Sequence, residues 1–301
     1  MSKLTVGILS GIGAGVLWGL VFLVPQVLSG FSPVEIAFGR FFFFGLVSVF
    51  SLRAVARLFQ RLTWRDRLHV VLLSASGYWL YTLLLFRSIA QSGGVVTTLI
   101  IGLLPVLIPL ASKRTWRLRK EFMLGLALIV LGVLALESGA LFSASNLPAL
   151  SVSGVLCLVA ALASWTWFAI ANSAFLRTHP DISHASLTSA MGLISCAAIT
   201  TVMLFTVDVP ALFHHPDFYN LALWTAAIGF GSAWFANWLW NRCSANCPPS
   251  ISGPLLVTET VFGLLFTFIY QNRLPEMNET VAMLLFGLGV VLAVRSEVTH
   301  A

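Results

Sequence analysis

The sequence predicts an all-α integral membrane protein, with ten transmembrane helices built as two inverted five-helix repeats, on three observations. Apolar runs of about 20 residues, the length that spans a bilayer, recur from one end of the chain to the other. Only 9% of the 301 residues are charged and 58% are hydrophobic, whereas an ordinary soluble chain carries roughly 25% charged residues. Two stretches in opposite halves of the chain can be aligned with each other. With a mean hydropathy of +0.93, a soluble domain is excluded, and no gap between apolar runs is long enough for a separate aqueous one.

Breaking the runs at charged, polar and proline-rich clusters gives spans near 4–28, 33–57, 68–90, 94–111, 122–141, 152–175, 186–206, 220–242, 250–270 and 280–295. The first run continues past Trp18 to Leu28 without a small-x-small cleavage site, so it reads as a retained span and not a signal peptide. Orientation follows from the basic residues. Arg53, Arg57, Arg61, Arg65 and Arg67 fill one loop, and Lys113, Arg114, Arg117, Arg119 and Lys120 another, which makes both loops cytoplasmic. Alternating spans then put Lys3, Arg177, Arg242 and Arg295 on the same side, with Asp208, Asp217, Glu276 and Glu279 opposite. Both termini are expected in the cytoplasm, in a plasma (inner) membrane.

The same topology accounts for a net charge of +6 and a pI of about 9.6 without a nucleic-acid partner. The partners expected are a small-molecule substrate and the lipid bilayer. Cys157, Cys196, Cys243 and Cys247 lie in apolar runs or at one helix end, so no disulfide framework is implied. Cys243 and Cys247 are one helical turn apart, yet no His or further Cys stands nearby to complete a metal site. No metal and no cofactor are expected.

The repeat carries the most information. The stretch from Tyr78-Trp79 to Val106 aligns without gaps on Ala233-Trp234 to Val261, so that Trp79 meets Trp234, Arg87 meets Arg242, and Gln91 meets Asn246. The surroundings of Trp18 and Trp165 correspond in the same way. Five spans separate the copies, and an odd number turns the second copy over in the membrane. Residues 1–145 and 146–301 are therefore read as two inverted repeats within one membrane domain, a plan that places a substrate site between the halves near the bilayer midplane.

Trp18-Gly19 in the first span, Arg40-Phe41 in the second, Pro105 in the fourth and Glu259-Thr-Val-Phe-Gly263 in the ninth resemble the EamA-type drug/metabolite transporter superfamily. That pattern has Trp-Gly, Arg-Phe, a fourth-span Pro and Glu-Pro-Val-Phe-Ala. The likeness covers nearly the whole chain. It departs at Thr260, where the family has Pro, and at Ser112-Lys113 and Gln271-Asn272, near which the family often has Gly-Glu. The resemblance implies a ten-span carrier that exports metabolites, often amino acids, with an aromatic amino-acid exporter as one branch.

Ionisable groups inside spans are costly enough to be functional suspects. Glu259 lies nine residues into its span, roughly 13 Å deep, and suits proton coupling or a substrate ammonium, or alternatively an interhelical ion pair. Arg40 would meet a substrate carboxylate, or pair structurally with Glu35 or Glu259. Tyr78 and Tyr81 share a helix face with Ser74, and the corresponding helix of the second repeat carries Trp234, Asn237, Trp238 and Asn241. Trp18, Trp165 and Asn172 join Tyr78, Tyr81, Asn237, Arg40 and Glu259 as the expected lining of a substrate cavity, with packing in the core as the alternative. Trp224 and Trp240 are read as packing residues.

Gly7, Gly11, Gly15 and Gly19 recur at four-residue intervals, which marks a stripe for close helix approach. Pro25, Pro105 and Pro109 remove backbone donors and are expected to bend their helices. No nucleophile–base set, phosphate loop or His-Glu-x-x-His pattern is present. The expected function is secondary transport: export of amino acids, aromatic or bulky and apolar, by alternating access. A multidrug or nucleoside-like carrier is the alternative within that class, and a membrane-embedded enzyme acting on lipid is the alternative outside it.

Overall fold

The computed structural model describes residues 2–92, 100–112, 119–143 and 151–298. The readings of Lys113, Arg114 and Arg117 lie outside them, as does the side chain of Pro25. The described residues form helices and contain no strand. In chain order these are α1 (Lys3–Gly19), α2 (Pro33–Val49), α3 (Leu52–Arg61), α4 (Trp64–Ser74), α5 (Leu80–Ser92), α6 (Leu104–Ser112), α7 (Lys120–Ser143) and α8 (Val152–Thr178). They continue with α9 (His184–Thr206), α10 (Val209–Phe213), α11 (Phe218–Ile228), α12 (Ala236–Asn246), α13 (Pro249–Leu255), α14 (Val257–Gln271) and α15 (Met277–Val298). Among the described residues six continuous stretches are each long and apolar enough to cross a membrane, and α2 with α3 would make a seventh were the two not bent by 82°. The chain is an all-α membrane protein.

Helix ends follow local chemistry. Ser32 begins α2 with a capping box: its side chain accepts from the Glu35 amide, while the Glu35 carboxylate accepts from Ser32 at 2.6 Å. Glu35 is thereby committed to the helix end and is not a partner for Arg40. Thr63 and Asp66 make the same box at α4. Asn272 ends α14 in the left-handed region, with φ 49°, a conformation that Asn tolerates better than most residues. Pro25 sits in the short helix Val24–Val27 that continues α1 beyond a 3₁₀ turn.

Two long helical stretches are interrupted by π turns, Ala75–Trp79 between α4 and α5 and Gly229–Phe235 between α11 and α12. The gap-free alignment places the first on positions 230–234, inside the second. Helix contacts are paired in a similar way. α1 packs along α12 and α8 along α5; α2 packs on α9, α6 on α13, and α7 on α15.

Glycines let several of these pairs approach closely. A Cβ on Gly7 would meet Cys247, one on Gly11 Cys243 and Leu255, and one on Gly15 Thr258. On Gly19 it would come within 2.8 Å of the Gly263 amide nitrogen. The stripe read from sequence thus runs from the end of α12 onto α14. Gly125 and Gly289 form a second seam between α7 and α15, each facing the other's carbonyl at 2.7 Å from the added carbon.

At Gly19 the opposing atoms are backbone and cannot swing aside, so Gly19→Ala is expected to destabilise by about 1–3 kcal/mol through overpacking. Gly287 has nothing within 4 Å of an added Cβ, and Gly287→Ala in the middle of α15 is expected to be neutral or to stabilise by up to about 1 kcal/mol. Thermal unfolding midpoints in detergent check the pair; a larger loss at Gly287 than at Gly19 contradicts the packing account.

A candidate binding cavity between broken helices

One cavity of about 540 Å³ lies where α1, α2, α5, α8, α12 and α14 converge, a volume in the range of small-molecule sites. Trp18, Arg40, Tyr78, Tyr81, Trp165, Asn237 and Glu259 all line it. Pro105 lines it too, at the start of α6. Asn172 does not. It is fully buried and donates to the Asn241 side chain at 2.9 Å, while Asn241 donates to the Thr188 hydroxyl at 2.9 Å.

Irregular backbone supplies much of the wall. The π turn contributes Gly77 and Tyr78. Residues Ile101 and Gly102 precede α6, and Leu256 separates α13 from α14. At these two breaks the chain closes single turns, from the Val106 amide to Leu103 and from the Glu259 amide to Leu256, both at 3.0 Å. Pro254 lies inside α13, and at the second break the Leu256 amide turns to the Gly253 carbonyl at 3.0 Å, a tighter turn than the α-helical ladder. Glu259 consequently stands in the first turn of a new helix, whose N-terminal amides favour a carboxylate.

The π turn also corrects the reading of Ser74. An extra residue per turn rotates the helix face, so Ser74 points away from Tyr78 and donates to the Met191 carbonyl of α9 at 3.0 Å. Of Trp234, Asn237, Trp238 and Asn241, Asn237 alone lines the cavity. Trp234 donates to Ser189 at 3.0 Å, Trp238 stacks on Phe235, and Asn241 joins the buried amide network.

Arg40 and Glu259 share the cavity and are close enough to be coupled electrostatically. They form no ion pair within 4 Å, and among the described residues no carboxylate pairs with Arg40. The buried Arg40 Nε and the Tyr78 hydroxyl have no hydrogen-bond partner there. Around these groups stands an aromatic wall. Tyr81 lies 6.4 Å from Trp165, and Tyr78 is edge-on to Phe168 at 5.4 Å. Trp240, with 1% exposure, packs 5.4 Å from Trp18 and 5.8 Å from Trp165. The cavity therefore stops at Asn237. One turn further along α12, Trp240 and the Asn172–Asn241–Thr188 network fill the interior on the side where α3 lies. Sequence reasoning missed Thr82, Thr260, Val133 and Phe286, which also line the cavity. The two threonines offered a polar signal inside apolar spans; the other two offered none.

A family model for EamA-like transporters matches residues 5–137. The inner membrane protein YtfF of Escherichia coli (strain K12) is 30% identical over 97% of this chain and 95% of its own length. A protein known from a crystal structure shares the fold with a TM-score of 0.77 at 18% identity, over 98% of this chain and 99% of that one.

Trp240 plugs the interior, which makes accessibility unequal on its two sides. With the four native cysteines replaced by alanine, Tyr81→Cys is expected to react readily with a small hydrophilic thiol reagent. Asn241→Cys, behind Trp240, is expected to react at least about tenfold more slowly, the factor that about 1.4 kcal/mol of opening free energy imposes. Equal rates would mean that the interior is not closed there.

Proposed function

From the premise that this chain belongs to the EamA-like transporter family, we propose that it exports zwitterionic metabolites, amino acids with aromatic or bulky apolar side chains, by alternating access. That it is a membrane transporter of the drug/metabolite class follows from the family itself. The finer reading rests on one observation: Arg40 and Glu259 face the same aromatic cavity without pairing to each other. An α-amino acid carries a carboxylate for Arg40, an ammonium for Glu259 and an apolar body for the wall of Trp18, Trp165, Tyr78 and Tyr81. A nucleoside-like or drug cargo would use the wall but not both charges. A lipid-acting enzyme would call for clustered acids or histidines, and among the described lining residues the ionisable groups are Arg40, Glu259, Tyr78 and Tyr81.

The machine we propose has ten crossings, in two inverted halves, 1–145 and 146–301. The π turns at corresponding positions and the reciprocal pairing of α1 with α12 and α8 with α5 support it. In this reading the arginine-rich loops and both termini face the cytoplasm of an inner membrane. The Trp240 plug then closes the cytoplasmic side, and the cavity belongs to an outward-facing state. Rocking of one half against the other would pass through the glycine seams, where there is little side-chain bulk to repack. Glu259 is the coupling group: it exchanges its proton when the substrate ammonium leaves.

A proteoliposome screen across amino acids and nucleosides, with and without an imposed proton gradient, tests the cargo. For the solute that scores, Glu259→Gln should abolish gradient-driven accumulation and leave exchange within about twofold. Arg40→Gln should weaken its apparent affinity by about tenfold or more, the usual effect of losing a charge-assisted hydrogen bond. Unchanged gradient dependence in Glu259→Gln rejects coupling through that group, and saturable flux of nucleosides alone rejects the amino-acid reading.

A further inference from the structure

Outside the cavity, the strongest unexplained feature is α3. It leaves α2 at 82° after the exposed Phe50, so it runs across the end of a span and not through the membrane. Its apolar side holds Val55 and Leu58, both buried and packed toward α9, together with Leu62 just beyond its end. On the opposite side Arg53, Arg57 and Arg61 follow one another every four residues, all exposed, in a row roughly 12 Å long. Among the described residues no carboxylate lies within ion-pair distance of these three, nor of Arg65 or Arg67. The nearby Asp66 is engaged by the Thr63 cap and lies 3.6 Å from His179.

Exposed apolar groups flank the row. Trp64 is 68% exposed with the Arg65 guanidinium 5.5 Å from its ring, and Leu52 and Leu68 are each 49% exposed. An acidic soluble protein would answer the charges but would leave Phe50, Leu52, Trp64 and Leu68 in water. A lipid answers both, with phosphate at the guanidinium level and acyl chains beside the apolar groups. We propose that α3 is a headgroup-binding helix for anionic phospholipid, in which Arg53, Arg57 and Arg61 hold the phosphodiester and Trp64 marks the interfacial depth. The site is separate from the cavity and does not depend on what the cavity carries.

The test uses the purified full chain, delipidated in mild detergent and titrated with phosphatidylglycerol or phosphatidylcholine of the same acyl chains, with bound lipid counted by native mass spectrometry. The expected result is at least about tenfold tighter retention of phosphatidylglycerol. Each of Arg53→Gln, Arg57→Gln and Arg61→Gln should reduce that preference, by roughly fivefold per guanidinium removed, whereas Arg57→Lys keeps it within about twofold. Equal retention of the two lipids by the unaltered chain overturns the proposal whatever the variants do. So does a preference that survives in all three glutamine variants, or a loss in Arg57→Lys as large as in Arg57→Gln.

Discussion

A backbone amide or carbonyl in hydrocarbon has no water to turn to, so regular helix is obligatory wherever the chain faces lipid. Departures from it are tolerated only where neighbouring protein or an enclosed space satisfies the freed groups. In this molecule three departures border one place: the π turn at Ala75–Trp79, the turn before α6, and the Leu256 break before α14. Gly77, Tyr78, Ile101, Gly102, Leu256 and Val257 all border the same cavity. The interrupted helices thus supply part of the cavity wall, and Arg40, Trp165 and Phe168 reach it from uninterrupted helices.

Electrostatics decides what such a space can hold. Two opposite charges removed from bulk water lose hydration worth several kcal/mol each, which a contact pair in good geometry can offset. Arg40 and Glu259 face each other without that contact, and the Arg40 Nε has no acceptor. Each charge therefore retains unsatisfied hydrogen-bonding capacity directed at the cavity. The first-turn position of Glu259 supplies a helix-end contribution of up to about 2 kcal/mol in a partly buried setting. A ligand carrying both signs of charge, or a proton on the carboxylate, relieves the remainder. In the proposed mechanism substrate and proton compete for that one group, the physical requirement for coupling their movements.

The all-α membrane class was legible from the apolar runs, and most of the cavity lining from the polar and aromatic groups inside them, which have few places to go. Trp18, Arg40, Tyr78, Tyr81, Trp165, Asn237 and Glu259 all reach the cavity. The glycine stripe was legible because a four-residue spacing maps directly onto one helix face, and all four positions meet α12, α14 or the residues that follow α12. Ser74 and Asn172 went astray through geometry that spacing does not carry. A π turn shifts the face by one residue, and Asn172 found a partner in Asn241, which sequence distance had not joined to it. Val133 and Phe286 were invisible because an apolar residue lining a cavity and one facing lipid look the same in a hydrophobic run.

Under the two-repeat reading the halves are unequal where it counts. The alignment sets Glu259 and Thr260 against Leu104 and Pro105, so one broken helix brings a charge to the cavity and its counterpart brings only shape. The amide network is one-sided as well: Asn172, Asn241 and Thr188 all belong to the second half. An exact inverted pair would weight its two end states equally. Contacts that join the halves in one state and not in the other set the weighting, and a bias of about 1.4 kcal/mol already gives a tenfold population difference. Trp240 of the second half against Trp18 of the first, 5.4 Å between ring centroids, is such a contact in this state.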